Sequence, residues 1–451
     1  MASTAGTPDP THDRASRIDD KQDFLDPWID ATFKGFPHDS RPLRRSEIAA
    51  QGWRVLKGDL PLPLAVIKRD ALQHNLSWMR QFCRERGVEL APHGKTTMSP
   101  QLFKYQLDAG AWGMTFATVT QLHIGVSAGV RRCVIANQVF ANADLDGLDR
   151  LRRLHRDLRI VFLVDSLDQL ALIEAWHLMR TQHEPPRFPV KFEALLEIGI
   201  PGGRTGCRSH EQAIALAAAI HASRAVRLVG IECYEGLLVS GTSEADVPHA
   251  QALMRRVEAV ARECDTRRLF DTDEVLITAG GSAIFDLVVE YLQPALSRPV
   301  RGVLRSGCYV THDHGSYRRM MQAWSARIGC GDGLHAAMEV WASVQSRPEP
   351  GLAILAVGKR DISYDLELPI PLSVCRHGQE TVSGAPGDWT ITGLNDQHAY
   401  LRWPLPAADE PRVGDRVALG ISHPCTTFDK WRWIPVVDDR YSVCDAIVTY
   451  F

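Results

Sequence analysis

Cysteine is scarce in this chain: ten residues in 451, with no CxxC pair, which excludes a disulfide scaffold. An excess of charge of either sign is also missing. Lys and Arg total 51 against 54 Asp and Glu, a net charge of −3, so no global field draws in nucleic acid or an anionic membrane. No run approaches the ~20 apolar residues of a membrane span. The opening MASTAGTPDPTHDRAS lacks the apolar stretch of a secretory signal. No internal repeat or low-complexity tract stands out. These absences make a cytoplasmic protein the expectation. What is present is an ordinary globular balance, 45% hydrophobic and 23% charged. At ~150 residues per domain the length suits about three domains, or fewer if one is a large barrel.

Residues 1–59 read as an N-terminal extension, poorly ordered over 1–22 and followed by a short amphipathic piece at Phe24, Trp28, Ile29 and Phe33. From about 60 to 310, short apolar runs alternate with helical patterns. The runs are 65–68, 88–92, 113–117, 132–137, 160–165, 192–198, 228–234, 275–279 and 302–306. Helical patterns cover 71–86, 120–128, 167–179, 211–222 and 250–264. This alternation predicts βα units around a parallel sheet, an α/β fold of the (β/α)8 TIM-barrel type. The runs number nine where a barrel takes eight, so one belongs elsewhere, and the first is the choice. Across 311–451 the texture changes to strand-like pieces between Gly/Pro turns, at 353–357, 389–392, 398–403, 416–419 and 446–450. That predicts a smaller, mainly antiparallel β-domain.

In a barrel, function collects at the C-terminal strand ends. The second run ends in Ala91-Pro92-His93-Gly94-Lys95-Thr96-Thr97. A lysine in a partly apolar mouth has a nucleophilic amine suited to a Schiff base, although a solvated lysine at a strand end looks the same. The sixth ends in a glycine-rich loop, Gly199-Ile200-Pro201-Gly202-Gly203-Arg204, which is either a ligand loop or a plain turn. The seventh ends in Glu232-Cys233-Tyr234-Glu235, whose phenol could meet a ring nitrogen or simply pack. The eighth ends in Thr278-Ala279-Gly280-Gly281-Ser282 before a helix, a suitable phosphate cradle. The ninth ends in Arg305-Ser306-Gly307-Cys308-Tyr309, a second small-residue turn where barrels often bind phosphate. Together with Lys95 these loops suggest pyridoxal 5'-phosphate.

In the second domain, Ser422-His423-Pro424-Cys425-Thr426 offers an imidazole and a thiolate to a borderline-soft divalent ion, zinc first. On an extended segment both would point to one side. A chance His/Cys pair is the alternative. His312-Asp313-His314 reads as a polar loop, and Cys83, Cys133, Cys207, Cys264, Cys330, Cys375 and Cys444 as buried small residues. Lys430 and Arg432 read as surface charges.

The stretch from Pro92-His93-Gly94-Lys95-Thr96 through Leu107-Asp108-Ala109-Gly110-Ala111 to Ile135-Ala136-Asn137-Gln138-Val139 resembles the D-threonine aldolase and D-serine dehydratase group. These are pyridoxal-phosphate enzymes of the alanine-racemase-like fold (fold type III). The tail 422–429, with 357–361 and 395–398, looks like the bacterial D-serine deaminase-like branch. The resemblance spans about 60–451 and implies a homodimer. It also implies roles. Lys95 would carry the cofactor and act as base at Cα. Arg204 would face the phenolic oxygen and Tyr234 the pyridine nitrogen. Thr278, Gly280, Gly281, Ser282, Gly307, Cys308 and Tyr309 would lie in the phosphate loops, and His423 and Cys425 would hold the metal. Two departures stand out: Gly94 where a branched aliphatic is common, and Cys308 in place of an ordinary loop residue. The implied activity is a metal-dependent dehydratase of β-hydroxy D-amino acids (D-serine, D-threonine or 3-hydroxy-D-aspartate) giving a 2-oxo acid and ammonia. The alternatives are a D-threonine aldolase-type lyase and a non-catalytic cofactor-binding protein.

Overall fold

The computed structural model describes residues 24–183, 191–236, 239–281, 283–328 and 333–451. The expectations for residues 1–22, Ser282 and Cys330 lie outside the described residues. An antiparallel pair, β1 (Trp28–Ile29) and β2 (Leu43–Arg44), precedes β3 (Leu64–Lys68). Parallel strands follow: β4 (Glu89–Leu90), β5 (Met114–Phe116), β6 (Arg132–Gln138), β7 (Arg159–Val164), β8 (Phe192–Ile198), β9 (Val226–Cys233), β10 (Val275–Ala279) and β11 (Val300–Leu304). Their order is β4-β11-β10-β9-β8-β7-β6-β5. The seam between β4 and β5 is bridged where Trp112 N–H donates to Leu90 O and Thr115 N–H to Pro92 O, each at 2.8 Å. The barrel is nearly closed.

These strands are almost continuously apolar because both of their faces are covered. Inside, Ala91, Trp112, Val134, Val161, Leu195, Val229, Leu276 and Val303 fill the barrel. Outside lie helices such as Arg69–Glu85, Val119–Ser127, His210–Ala222 and Ser243–Thr266. Local sequence starts them cleanly. The hydroxyls of Thr118 and Ser209 accept the N–H of Gln121 and Gln212, satisfying amides that a helix start leaves orphaned.

The surplus run leaves the barrel. β3 pairs antiparallel with β12 (Met338–Glu349) and parallel with β19 (Trp433–Val437). The other members of that sheet are β13 (Leu352–Leu355), β14 (Ile370–Cys375), β15 (Ser383–Gly384), β16 (Thr390–Leu394), β17 (Ala399–Arg402), β18 (Arg416–Gly420) and β20 (Val443–Val448). The segment before β3 packs on this sheet, with Ile29, Phe36, Leu43 and Ile48 against Trp341 and Trp433. Among the described residues, no helix is long and apolar enough to cross a membrane.

Candidate active site

Past β4 the chain turns through His93 into a single helical turn, Gly94–Thr96. Gly94 is required by space, since a Cβ there would lie 2.6 Å from Phe116 Cε1 and 3.1 Å from Phe103 Cε1. Two aromatic rings fill the volume that a branched aliphatic side chain would need. The turn leaves Lys95 exposed, and among the described residues its amine has no hydrogen-bond or ion-pair partner. His93 beside it has a buried Nδ1 with no partner among the described residues. Burial, and then the cations of Lys95, Arg305 and Arg204, push this imidazole well below its ordinary range, so it is neutral. The mouth is electropositive around an uncharged ring.

The loop after β8 brings Arg204 over the Tyr234 ring, 4.9 Å from its centroid, so these two expected site residues meet. Burial raises the Tyr234 phenol, as does Glu235, while Arg204 opposes them. Behind the loop, the Thr205 hydroxyl donates to Glu197 Oε1 at 2.6 Å and the Gln138 amide donates to the same carboxylate. After β10, a Cβ on Gly280 would come within 2.5 Å of the Tyr234 ring, and Gly281 has φ +65°. The Gly281 N–H already donates to an anion-like group, the buried Glu235 carboxylate.

The other expected phosphate-loop residues are placed differently. Thr278 is a framework residue, its hydroxyl donating to Val303 O at 2.7 Å. Tyr309 is buried, its phenol hydrogen-bonded to Gln106 and raised by burial. The Gly307 backbone lies against His93 and Thr96. Cys308 turns toward the second domain, with its Sγ 3.7 Å from Cys425 Sγ.

Beneath the mouth, Arg305 donates to Thr278 Oγ1 at 2.8 Å, to Cys233 O at 3.1 Å and to the Glu232 carboxylate. Both charged groups are buried, and burial pushes Glu232 up to about 8 against the pull of Arg305. Its proton is held more tightly folded than unfolded, so stability falls as pH rises from the ordinary carboxyl range toward that value. Arg305→Met removes the compensating cation and is expected to cost about 3–5 kcal/mol, read from denaturant midpoints. The cost should be larger at high pH than at mildly acidic pH, where Glu232 can be neutral. An equal cost at both would contradict this.

The second domain reaches the mouth where β18 ends. Ile421 O accepts the His314 N–H at 2.9 Å, and Cys425 Sγ lies 3.6 Å from Thr96 Oγ1. The His-X-Cys segment is not extended as the sequence suggested. Pro424, at φ −59° and ψ −46°, starts the short helix Cys425–Phe428, where its missing N–H is not needed. His423 and Cys425 still hydrogen-bond each other. His423 Nδ1 is held by Asp365 Oδ2 at 2.6 Å, and Thr426 Oγ1 donates to Asp365 Oδ1 at 2.6 Å. Burial pulls the His423 imidazolium down, but Cys425 and Asp365 outweigh it and hold it up to about 9. The hydrogen bond from Cys308, and then His423, holds the Cys425 thiol well below its usual range, while the Cys308 thiol is raised. Among the described residues, no three His, Cys, Asp or Glu side chains already stand as a metal cage.

His312-Asp313-His314 is a buried capping turn rather than a polar loop. The Asp313 carboxylate accepts the N–H groups of Gly315 and Tyr317 at 2.9 and 3.0 Å, at the start of the helix Ser316–Ile328. Arg432 is exposed and covers the Phe33 ring at 3.8 Å, whereas Lys430, expected as a surface charge, is largely buried and pairs with Asp429 at 3.4 Å.

An anionic aldehyde cofactor fits these residues: an amine on Lys95 unpartnered among the described residues, the cations of Arg204 and Arg305 near it, and a buried, unpartnered His93 Nδ1 at the mouth. A divalent ion fits too, because an imidazole oriented by a carboxylate beside a thiolate is a borderline-soft donor set. Sequence reasoning missed Arg305, Glu232, Glu235 and Asp365 as site residues. The signal for Glu232 and Glu235 was two acids bracketing a tyrosine at a barrel strand end, while Asp365 carried none.

Residues 67–295 match the family model described as alanine racemase, N-terminal domain, and residues 337–437 match the putative serine dehydratase domain. A D-threo-3-hydroxyaspartate dehydratase of Delftia sp. (strain HT23) is 32% identical over 380 residues, 82% of this chain and 92% of that protein. A D-threonine aldolase of Arthrobacter sp. is 25% identical over 378 residues, 84% of this chain and 89% of its own length. The crystal structure of D-threonine aldolase from Filomicrobium marinum superposes with a TM-score of 0.71 at 22% identity, covering 88% of this chain and 97% of that one. With its barrel, its appended sheet and the lysine at their meeting point, the chain belongs to the fold type III pyridoxal-phosphate enzymes, in the group that joins an alanine-racemase N-terminal domain to a D-serine dehydratase-like domain.

Proposed function

We propose that this protein is a lyase that removes water and then ammonia from β-hydroxy D-amino acids, using pyridoxal phosphate and a divalent metal ion. The observation that carries the reading is the contact between two distant segments. The Lys95 turn and the His-X-Cys segment meet at one barrel mouth, with Thr96 Oγ1 3.6 Å from Cys425 Sγ. When bound, the cofactor supplies an electron sink for charge developing at Cα, and the ion supplies a Lewis acid for the departing hydroxide.

The chain's own residues do the rest. Lys95 takes the Cα proton, and one amine on one side of the mouth selects one configuration. The Arg204 guanidinium covers the Tyr234 ring, and the phenol of Tyr234 would partner the cofactor's ring nitrogen. The turn at Gly280 and Gly281 would leave room for the phosphate at the mouth, its Gly281 amide being held by Glu235. His423 and Cys425 would hold the ion, and Asp365, bonded to Nδ1, fixes the imidazole and leaves its Nε2 available.

The thiolate donor supports dehydration over retro-aldol cleavage, as does the higher identity to the Delftia dehydratase than to the Arthrobacter aldolase. A panel of D- and L-amino acids, with and without chelator, tests the proposal. Ammonia and a 2-oxo acid should form from D-serine, D-threonine or 3-hydroxy-D-aspartate, not from the L forms, and should cease on chelation with the cofactor retained. Glycine and an aldehyde from D-threonine would contradict dehydration. Unchanged turnover in metal-stripped protein would contradict the metal step.

A further inference from the structure

Cys308 has no part in the scheme above, yet it occupies the junction between barrel and second domain. We propose that it is a further thiolate ligand of the divalent ion, which is then gripped by Cys308, Cys425 and His423. This rests on the metal-dependent reading and extends it to a donor that reading does not use.

The first observation is a distance. The sulfurs of Cys308 and Cys425 are 3.7 Å apart. Two thiolates each ~2.3 Å from a tetrahedral zinc ion stand about 3.8 Å from one another. A disulfide needs ~2.05 Å, so bonding the two sulfurs together would require a much larger movement than seating one ion between them. Among the described residues, no other two cysteine sulfurs are in hydrogen-bond contact.

The second observation is what holds Cys308 there. It opens the short turn Cys308–Val310, preceded by Gly307, whose backbone lies against His93 and Thr96. The Thr96 hydroxyl sits 3.9 Å from Cys308 Sγ and 3.6 Å from Cys425 Sγ, and Tyr317 hydrogen-bonds Cys308 as well. A ligand sulfur with hydroxyl partners of its own is the arrangement that fixes metal donors in place. The pair borders Lys95, where a Lewis acid is useful. His423 contacts Cys425, so the imidazole completes the set as the ion draws it in.

The chemistry balances without electron transfer. The Cys308 proton and the one extra proton of the His423–Cys425 pair pass to solvent as the ion binds. Two thiolates and a neutral imidazole cancel the charge of the ion, select a soft ion of zinc's kind over magnesium or manganese, and leave a fourth position open for one substrate oxygen.

The test replaces the metal of the full-length holoenzyme with cobalt(II) and reads the near-ultraviolet thiolate-to-metal band, whose intensity counts thiolates. Cys308→Ser and Cys425→Ser should each lower it to about half of wild type. Each should also weaken zinc in chelator competition by at least about tenfold. Cys308→Ala, which keeps no donor, should behave as Cys308→Ser does, and circular dichroism establishes that all three variants fold. A wild-type band that is unchanged in Cys308→Ser but lost in Cys425→Ser would overturn the proposal and leave the metal reading intact. A wild-type protein that binds no cobalt would overturn both.

Discussion

Lys95→Ala should give a folded, full-length protein that has lost the yellow absorption of a lysine-bound pyridoxal and all measurable turnover. The side chain is exposed and its amine has no partner among the described residues, so its removal costs the fold little, within about 0.5 kcal/mol. The functional loss is of another order. In the proposed function the amine is both the covalent anchor of the cofactor and the base at Cα, and loss of a positioned base alone costs up to about 10⁴-fold. Arg204, His93 and the Gly280–Gly281 turn remain in place, so pyridoxal phosphate should still bind, more weakly. A yellow, active Lys95→Ala protein would remove this residue from the scheme.

His423→Ala should produce the opposite dissociation. The cofactor colour should persist, because the proposed function gives His423 no part in holding the cofactor, while the ion and the turnover are lost. A Lewis acid stabilising a departing hydroxide supplies several kcal/mol, so a fall of at least about 10³-fold is expected. Asp365→Asn is the graded companion. Asp365 accepts from His423 Nδ1 at 2.6 Å and also holds Thr426. Altering it should weaken metal binding by about 10–100-fold while leaving the ligands themselves in place. Metal content by elemental analysis, beside the visible spectrum, separates these effects. Equal loss of colour and metal in His423→Ala would indicate general disruption instead.

Much of the barrel could be read from the chain because its strands are buried on both faces. β8 and β10 occur at the residues that their apolar runs mark. β9 begins two residues early because Arg227 breaks the run, its guanidinium reaching Glu193 across the sheet. The helix Ser243–Thr266 is longer than its apolar pattern, since polar residues and Pro248 hide its first turns. The helix Asn142–Leu154 was passed over although Leu145, Leu148 and Leu151 recur at helical spacing and are buried. β12 escaped notice because its second half, Ser346 to Glu349, is polar and exposed.

Of the candidate site, Lys95, Arg204, Tyr234, His423 and Cys425 are legible as reactive types at strand ends and loops. Their partners are not. Asp365 lies 58 residues before His423, and Glu232 lies 73 before Arg305, so only the folded chain brings them together. Nothing in the local sequence indicates that Thr278 spends its hydroxyl on Val303, or that Cys308 turns away from the cradle toward Cys425.

The scheme depends on Lys95 being the residue covalently joined to pyridoxal phosphate. Borohydride reduction of the protein as purified, followed by proteolysis and mass spectrometry, tests it directly. The expected product is a phosphopyridoxyl group on the peptide carrying His93-Gly94-Lys95-Thr96, in near-stoichiometric yield. The same label on another lysine, or on none, would contradict it.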